Sequence, residues 1–190
     1  MEERNWTLSS CDAGLAASLA RELDVSEIVA SVLVRRGFGD AEQARRFLAA
    51  EDGPHDPFLL GDMAAACERL RAAIAAGKRI CVHGDYDVDG ISATALAVLI
   101  LRELGADVQW HLPSRFEEGY GLRSSTLGRL AEAGCALVLT VDCGITAVEE
   151  VRHAHALGLE VIVTDHHRPT DEWPACPVVA PLKGDYPFTG

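Results

Sequence analysis

Carboxylate and imidazole side chains are concentrated in three short segments of this sequence, and each segment directly follows an apolar run. The segments are residues 83–90, 142–144 and 165–167. Carboxylates at this density repel one another unless cations neutralise them, and mixed aspartate and histidine ligands suit Mn²⁺ or Mg²⁺. Two such ions about 3.5–4 Å apart can hydrolyse a phosphoester with an activated water. The three segments together therefore predict a divalent-metal site for phosphoester chemistry.

Each segment alone has a simpler interpretation. An aspartate after a buried strand, such as Asp142, is often only a helix cap, and a lone histidine pair is more often exposed than metal-bound. Residues 85–90 resemble the start of an EF-hand loop, but Leu96 occupies the position that needs a glutamate. The similarity of residues 87–90 to the nucleophile loop of haloacid-dehalogenase-type phosphatases remains a minor alternative. The occurrence of all three segments at successive strand ends favours the metal site.

The elements that must position these segments are indicated by the hydrophobic pattern from residue 79 onward. Short apolar runs alternate with helix-length segments, which predicts parallel strands joined by right-handed crossovers. The expected fold class is α/β, with an open, mainly parallel sheet and helices on both faces. Ligands of such sheets bind beyond the carboxyl ends of the strands, where the three segments would meet. Strands are predicted at 80–82, 108–110, 137–141, 161–164 and 178–180, and helices at 91–104, 125–133 and 147–157.

The N-terminal part has a different pattern. Ser26 and Asp40 are suited to cap two helices, which are predicted to extend to residues 36 and 50. A turn-rich loop at 51–57 precedes a third helix at 62–76. We therefore predict a helical N-terminal extension, residues 1–61, followed by the α/β domain, residues 62–190.

Composition excludes several classes of protein. The 190 residues are 48% hydrophobic, which excludes intrinsic disorder, and carry a net charge of −12. This acidic balance argues against a broad nucleic-acid-binding surface, so phosphate binding has to be local. No apolar run approaches the roughly 20 residues of a membrane span, and the N-terminus does not resemble a signal peptide. The six cysteines form no C-x-x-C pair, which is typical of reduced thiols in a cytoplasmic protein.

A loop after the second predicted strand is suited to bind an anion. Ser114 and Arg115 offer donors, and Gly119 and Gly121 permit close approach of the backbone. Arg115 is the strongest candidate for a phosphate contact, the alternative being a surface ion pair with a neighbouring glutamate such as Glu117.

These motifs resemble those of the DHH phosphoesterase superfamily, and within it the RecJ single-stranded-DNA-specific exonucleases. The superfamily pattern is carried by His83, Asp87 and Asp89, then Asp142, then residues 165–167. The resemblance to the RecJ family covers nearly the whole chain. It is carried by residues 44–48, 56–63, 83–90, 113–121 and 141–145.

The resemblance implies a role for each site residue. Asp142 would bridge two ions, the first also held by His83 and Asp87. The second ion would also be held by Asp89 and His166. His167 would contact the scissile phosphate, and Asp165 would orient the histidines as catalytic support. Asp85 would support the first ion in the same way.

The resemblance also implies a function. The parent activity would be metal-dependent 5′-to-3′ hydrolysis of single-stranded DNA to 5′-mononucleotides, in DNA repair and recombination. Expected partners are single-stranded DNA, a single-strand-binding protein and a recombination helicase, with no membrane. One alternative is another DHH phosphoesterase, acting on oligonucleotides, cyclic dinucleotides or pyrophosphate. The other is an inactive scaffold that binds DNA or proteins.

The sequence departs from the family pattern at its end. In the superfamily a further aspartate from a later strand completes the second metal site, and no convincing ligand follows His167 here. We therefore expect a DHH domain truncated at its C-terminal end, with one ion or two and weak or no activity of its own.

Overall fold

The computed structural model describes residues 7–51, 55–117 and 119–187, and the chain folds as two compact units, Met1–Pro54 and His55–Gly190. The predicted domain boundary between residues 61 and 62 falls inside the second unit and stays a prediction. No helix within the described ranges is long and apolar enough to cross a membrane.

Within its described residues, 7–51, the first unit contains three helices around a small core of its own. Each begins at a side-chain cap, because the carboxylates of Asp12 and Asp40 and the hydroxyl of Ser26 accept hydrogen bonds from the first-turn backbone. The third helix ends two residues before its predicted end at residue 50. The helices are α1 (Ala13–Leu23), α2 (Glu27–Arg35) and α3 (Ala41–Leu48).

The second unit is a five-stranded parallel sheet in the order β2-β1-β3-β4-β5, which confirms the predicted fold class. A short 3-10 turn, Pro57–Leu59, precedes the first helix of this unit. The elements are α4 (Met63–Ala75), β1 (Arg79–His83), α5 (Val88–Glu103), β2 (Val108–His111), α6 (Ser124–Glu132), β3 (Cys135–Val141), α7 (Val148–Ala156), β4 (Glu160–Thr164) and β5 (Val178–Val179).

Helices cover both faces of the sheet, because alternate strand residues point to opposite sides. Leu137 and Leu139 of β3 pack in the cluster that includes residues of α4 and α5. Val138, between them, packs in the cluster formed with α6 and α7. The strand order reverses at β1, with β2 on one side and β3 on the other, which is where open α/β sheets bind ligands.

Helix α5 begins at Val88 and not at the predicted residue 91, and this difference affects the site. The Asp87 carboxylate accepts hydrogen bonds from the backbone N–H groups of Asp89 and Gly90, each at 3.0 Å, and so caps the helix. The loop between β1 and α5 is therefore shorter than predicted. Asp87 is fixed at the helix N-terminus, and Asp89 lies in the first turn of the helix.

Candidate metal centre

Asp142 lies at the centre of the site, immediately after β3. Its N–H donates to the Thr164 carbonyl at 3.0 Å and continues the ladder between β3 and β4, and its left-handed backbone, with φ of 62°, follows directly. The residue is only 8% exposed. Neither carboxylate oxygen has a hydrogen-bond partner among the residues that the structure describes. A buried carboxylate without partners is costly, which indicates that a cation belongs beside it.

Two groups of potential ligands share Asp142. The first consists of Asp142 with Asp85 and Asp87, and the second of Asp142 with His166 and His167. In each group one ligand atom per residue lies within 4.8 Å of the others. The Nδ1 atoms of His166 and His167 lie 3.4 Å and 4.0 Å from Asp142 Oδ1. The groups come from three strand ends, which the sheet brings to one edge.

The carboxylates at this edge affect one another's pKa values. Burial raises the pKa of Asp142, and the negative charge of Asp87 raises it further. The backbone N–H groups of Gly90 and Asp89 lower the pKa of Asp87 despite some desolvation. Asp87 is therefore stabilised as an anion by the start of α5. The charge on Asp142 is offset only in part by His166 and His167, because its net pKa stays raised.

Asp165 is the organising residue of the histidine pair. Its carboxylate accepts from the backbone N–H groups of His166 at 2.7 Å, His167 at 3.1 Å and Ile145 at 2.9 Å. It also accepts from Nδ1 of His167 at 2.7 Å. Asp165 is buried, and these contacts occupy both of its oxygens. The arrangement suits the orienting role that the resemblance implies for this residue.

His167 is held in one orientation by its neighbours. Its Nδ1 lies 3.2 Å from the Tyr120 hydroxyl, and its ring stacks on His166 with the centroids 4.6 Å apart. Because the ionised Asp165 can only accept, Nδ1 carries a proton. Partial burial lowers the pKa of His167, but the hydrogen bond and the charge of Asp165 outweigh it, and the net pKa is raised.

His83 and Asp89 lie outside both three-residue groups. His83 ends β1 and is 1% exposed, with its Nδ1 3.8 Å from Sγ of Cys143. Burial raises the pKa of the Cys143 thiol, which is therefore neutral in the metal-free protein. Asp89 is exposed and lines a groove of about 580 Å³ beside Asp142 and His166. The roles of His83 and Asp89 as ligands stay predictions.

The loop after β2 contacts the loop after β1. The Ser114 carbonyl accepts from the backbone N–H of Gly119 at 3.1 Å, and Gly119 adopts a left-handed φ of 75° that favours glycine. Gly121 also has a positive φ, of 82°. The Arg115 guanidinium lies over the Tyr86 ring, 5.4 Å from its centroid, which anchors the arginine against the loop that carries Asp85 and Asp87.

Two residues of this edge were not among the predicted site residues. Tyr120 contacts His167 although the two are 47 positions apart, and Tyr86 supports Arg115. The available signal was the position of each tyrosine inside a segment already identified for other residues. Nothing in either segment indicated which side chain from another part of the sequence the tyrosine would contact.

The comparisons with known proteins agree with this geometry. The DHH family, N-terminal domain, matches residues 79–187. The single-stranded-DNA-specific exonuclease RecJ of Bacillus subtilis is 42% identical over 170 residues, which are 89% of this chain and 22% of that protein. This chain thus spans under a quarter of the length of that relative.

Solved structures show the same likeness. RecJ of Thermus thermophilus in complex with Mn²⁺ is 36% identical with a TM-score of 0.66, over 96% of this chain and 26% of that one. Exonuclease RecJ bound to manganese is 46% identical with a TM-score of 0.64, over 68% of this chain and 33% of that one. On the family match, which includes all three acidic and histidine segments, this chain belongs to the DHH family.

Proposed function

We propose that this chain provides the metal-binding phosphodiesterase domain of a single-stranded-DNA-specific exonuclease, which hydrolyses DNA from the 5′ end to 5′-mononucleotides. The proposal rests on the buried Asp142 carboxylate, which lacks hydrogen-bond partners among the described residues and is shared by two ligand groups. Relatives named as RecJ exonucleases and solved with manganese support the substrate and the metal.

The donor set fits Mn²⁺ or Mg²⁺. Carboxylate oxygens with imidazole nitrogens suit these ions, and the nearby thiol of Cys143 is neutral. Asp142 would be shared by two ions, one with Asp87 and one with His166. The predicted ligands His83 and Asp89 would complete these sets, and the geometry adds Asp85 as a candidate. When bound, such ions lower the pKa of a coordinated water and supply a nucleophile at neutral pH.

The other residues of the edge hold the substrate and a proton. Arg115, whose guanidinium lies over the Tyr86 ring, would bind a phosphate of the DNA backbone. His167 keeps the proton on Nδ1 through Asp165, and its raised pKa favours the imidazolium form, which also has a proton on Nε2. That second proton can be donated to a phosphate oxygen or to the leaving oxygen.

The wider role follows the same relatives. We infer that the exonuclease with this domain acts in DNA repair and recombination in the cytoplasm, with a single-strand-binding protein and a recombination helicase as partners. The strongly acidic charge of −12 supports a local mode of DNA binding at the metal centre, because the rest of the surface repels the DNA backbone.

Calorimetric titration with Mn²⁺ tests the metal centre directly. We expect one or two ions per chain, and loss of binding in Asp142→Ala. Asp171→Asn is the matched control, because it removes an exposed carboxylate of the same unit. Equal Mn²⁺ binding by the chain and Asp142→Ala would contradict the proposed centre.

A substrate panel then tests the reaction. With Mn²⁺ present, we expect slow release of mononucleotides from single-stranded DNA in preference to duplex DNA, a cyclic dinucleotide and pyrophosphate. Preference for one of the small substrates would favour another DHH phosphoesterase. Metal-free DNA binding that survives Asp142→Ala, with no hydrolysis of any substrate, would favour a scaffold.

A further inference from the structure

The groove beside the metal centre is lined by more residues than those that would bind metal or phosphate. Its volume of about 580 Å³ is within the range of roughly 300–1,000 Å³ that is typical of pockets for small organic ligands. Its lining combines acidic and imidazole side chains with apolar side chains and Tyr186. The lining comprises Leu60, Asp89, Ser92, Ala93, Asp142, Thr164, Asp165, His166, Val179, Pro181 and Tyr186.

The lining of this groove combines two kinds of chemistry. Asp89, Asp142 and His166 would bind cations and, through them, a phosphate. Leu60, Val179, Pro181 and Tyr186 add apolar and aromatic side chains to the same groove. A nucleotide combines the matching two kinds, because its phosphate is anionic and its base is flat with apolar faces. The groove is therefore complementary to one nucleotide with its phosphate at the metal centre.

Tyr186 is positioned by a backbone clamp between residues 59–61 and 183–185. The N–H of Gly61 donates to the Lys183 carbonyl at 2.6 Å, and the N–H of Asp185 donates to the Leu59 carbonyl at 3.1 Å. The two segments approach so closely that a Cβ atom on Gly184 would lie 2.6 Å from the Leu59 carbonyl oxygen. Only glycine fits there, which shows that the close approach is part of the fold.

A salt bridge and a ring contact reinforce this position. The Asp62 carboxylate accepts from the Val178 backbone N–H at 3.0 Å and pairs with Lys183. The Tyr186 ring meets His55 edge to face, with the centroids 5.8 Å apart and an interplanar angle of 88°. The ring orientation is thus fixed before any ligand binds, which reduces the entropic cost of stacking on it.

We propose that Tyr186, which lines the same groove as Asp142, is a stacking platform for the nucleobase of a nucleotide whose phosphate lies at the metal centre. This inference rests on the proposed function. Stacking of a base on an aromatic side chain contributes about 1–3 kcal/mol and tolerates any base. A base inside a duplex is already stacked on its neighbours, so the platform favours single strands. It also supplies affinity that an acidic protein cannot obtain from long-range charge.

Binding of a matched pair of oligonucleotides to this chain, with Mn²⁺ present, tests the platform. Both are 5′-phosphorylated tetrathymidylates with hydrolysis-resistant phosphorothioate linkages, and one has an abasic tetrahydrofuran as its 5′ nucleotide. We expect the intact oligonucleotide to bind about 5- to 150-fold more tightly, the range that 1–3 kcal/mol of stacking gives. Tyr186→Phe should keep this preference. Tyr186→Ala should remove it without weakening the binding of the abasic oligonucleotide.

Trp110→Ala is the matched control, because it removes an exposed aromatic side chain outside the groove, and it should keep the preference. Equal affinity of the unsubstituted chain for the two oligonucleotides would overturn the platform, even if Tyr186→Ala failed to fold. This result would not contradict the proposed phosphodiesterase function, provided that both oligonucleotides bind in a Mn²⁺-dependent way. Absence of Mn²⁺-dependent binding of either oligonucleotide would overturn both proposals.

Discussion

The hydroxyl oxygen of Tyr120 lies 3.2 Å from Nδ1 of His167, and the tyrosine ring meets the imidazole edge to face at 5.6 Å between centroids. Nδ1 also donates to Asp165, so the tyrosine oxygen is a second acceptor for the same proton. The imidazole is thereby fixed from two sides. Tyr120 comes from the loop before α6, and His167 from the loop after β4.

Removing the hydroxyl of Tyr120 should lower activity without unfolding the protein. In Tyr120→Phe the ring contact with His167 remains, and one hydrogen bond of about 1 kcal/mol is lost. We expect the rate of Mn²⁺-dependent hydrolysis of single-stranded DNA to fall roughly 3- to 10-fold, with an unchanged thermal midpoint. Phe116→Leu, at a 98% exposed aromatic residue of the same loop, is the control. An unchanged rate in Tyr120→Phe would show that Asp165 alone positions the imidazole.

The pKa of His167 should depend on Asp165. The hydrogen bond and charge of Asp165 raise the pKa of His167 against the effect of burial. In Asp165→Asn the negative charge is absent, so the imidazolium loses stabilisation and the pKa should fall toward, or below, its ordinary value of about 6.5. The measurement is an NMR titration of the His167 ring in the metal-free chain. A pKa that does not fall would contradict this assignment, provided that the amide spectrum shows an intact fold.

Asp142→Asn should stabilise the metal-free protein while it abolishes Mn²⁺ binding. The raised pKa of Asp142 means that its charge opposes folding, because the folded state holds the proton more tightly than the unfolded state. Near neutral pH we expect the substitution to increase the free energy of unfolding by about 1–3 kcal/mol. This gain should shrink as the pH falls through the raised pKa toward the unfolded value of about 3.9.

Chemical denaturation of both proteins at several pH values, in the presence of a chelator, measures this difference. Asp171→Asn, at an exposed position, should change stability little at any pH. A metal-free Asp142→Asn protein that is less stable than the unsubstituted chain at pH 7 would mean that the carboxylate has stabilising contacts.

Gly90→Ala should be strongly destabilising, whereas Gly128→Ala should be neutral or stabilising. A Cβ atom on Gly90 would lie 2.5 Å from the backbone nitrogen of Asp85, and backbone atoms there cannot move without shifting the β1 loop. No heavy atom lies within 4 Å of the corresponding position at Gly128 in α6. Alanine in a helix is favoured over glycine by about 0.5–1 kcal/mol.

Thermal unfolding of both variants tests this contrast, with a loss above about 2 kcal/mol expected for Gly90→Ala. Because the strain falls on the loop that carries Asp85 and Asp87, Mn²⁺ affinity should fall with it. Equal stability of the two alanine variants would show that the start of α5 does not pack tightly against the β1 loop.

The sequence by itself determined the strands and helices. It also determined the edge of the sheet at which the site residues lie together. The strands and helices follow from hydrophobic periodicity and from caps such as Ser26 and Asp40, which act over a few residues. The grouping of Asp142 with the 83–90 and 165–167 segments follows from a general property of parallel sheets, whose strand ends share one edge. The predicted start of α5, residue 91, is three residues too late. Asp87 caps the helix, but its sequence context indicated a metal ligand and not a helix cap.

Tertiary structure decided which side chains meet. That Tyr120 reaches His167, that Arg115 lies over Tyr86, and that Tyr186 lines the same groove as Asp142 all depend on strand order and on loop paths. These contacts join residues far apart in the chain, and no local pattern encodes them. The absence of hydrogen-bond partners for Asp142 among the described residues is equally a result of packing, because it requires every surrounding atom to be placed. Local patterns thus indicated metal-dependent phosphoester chemistry. The tertiary structure determined which side chains contact one another at the site.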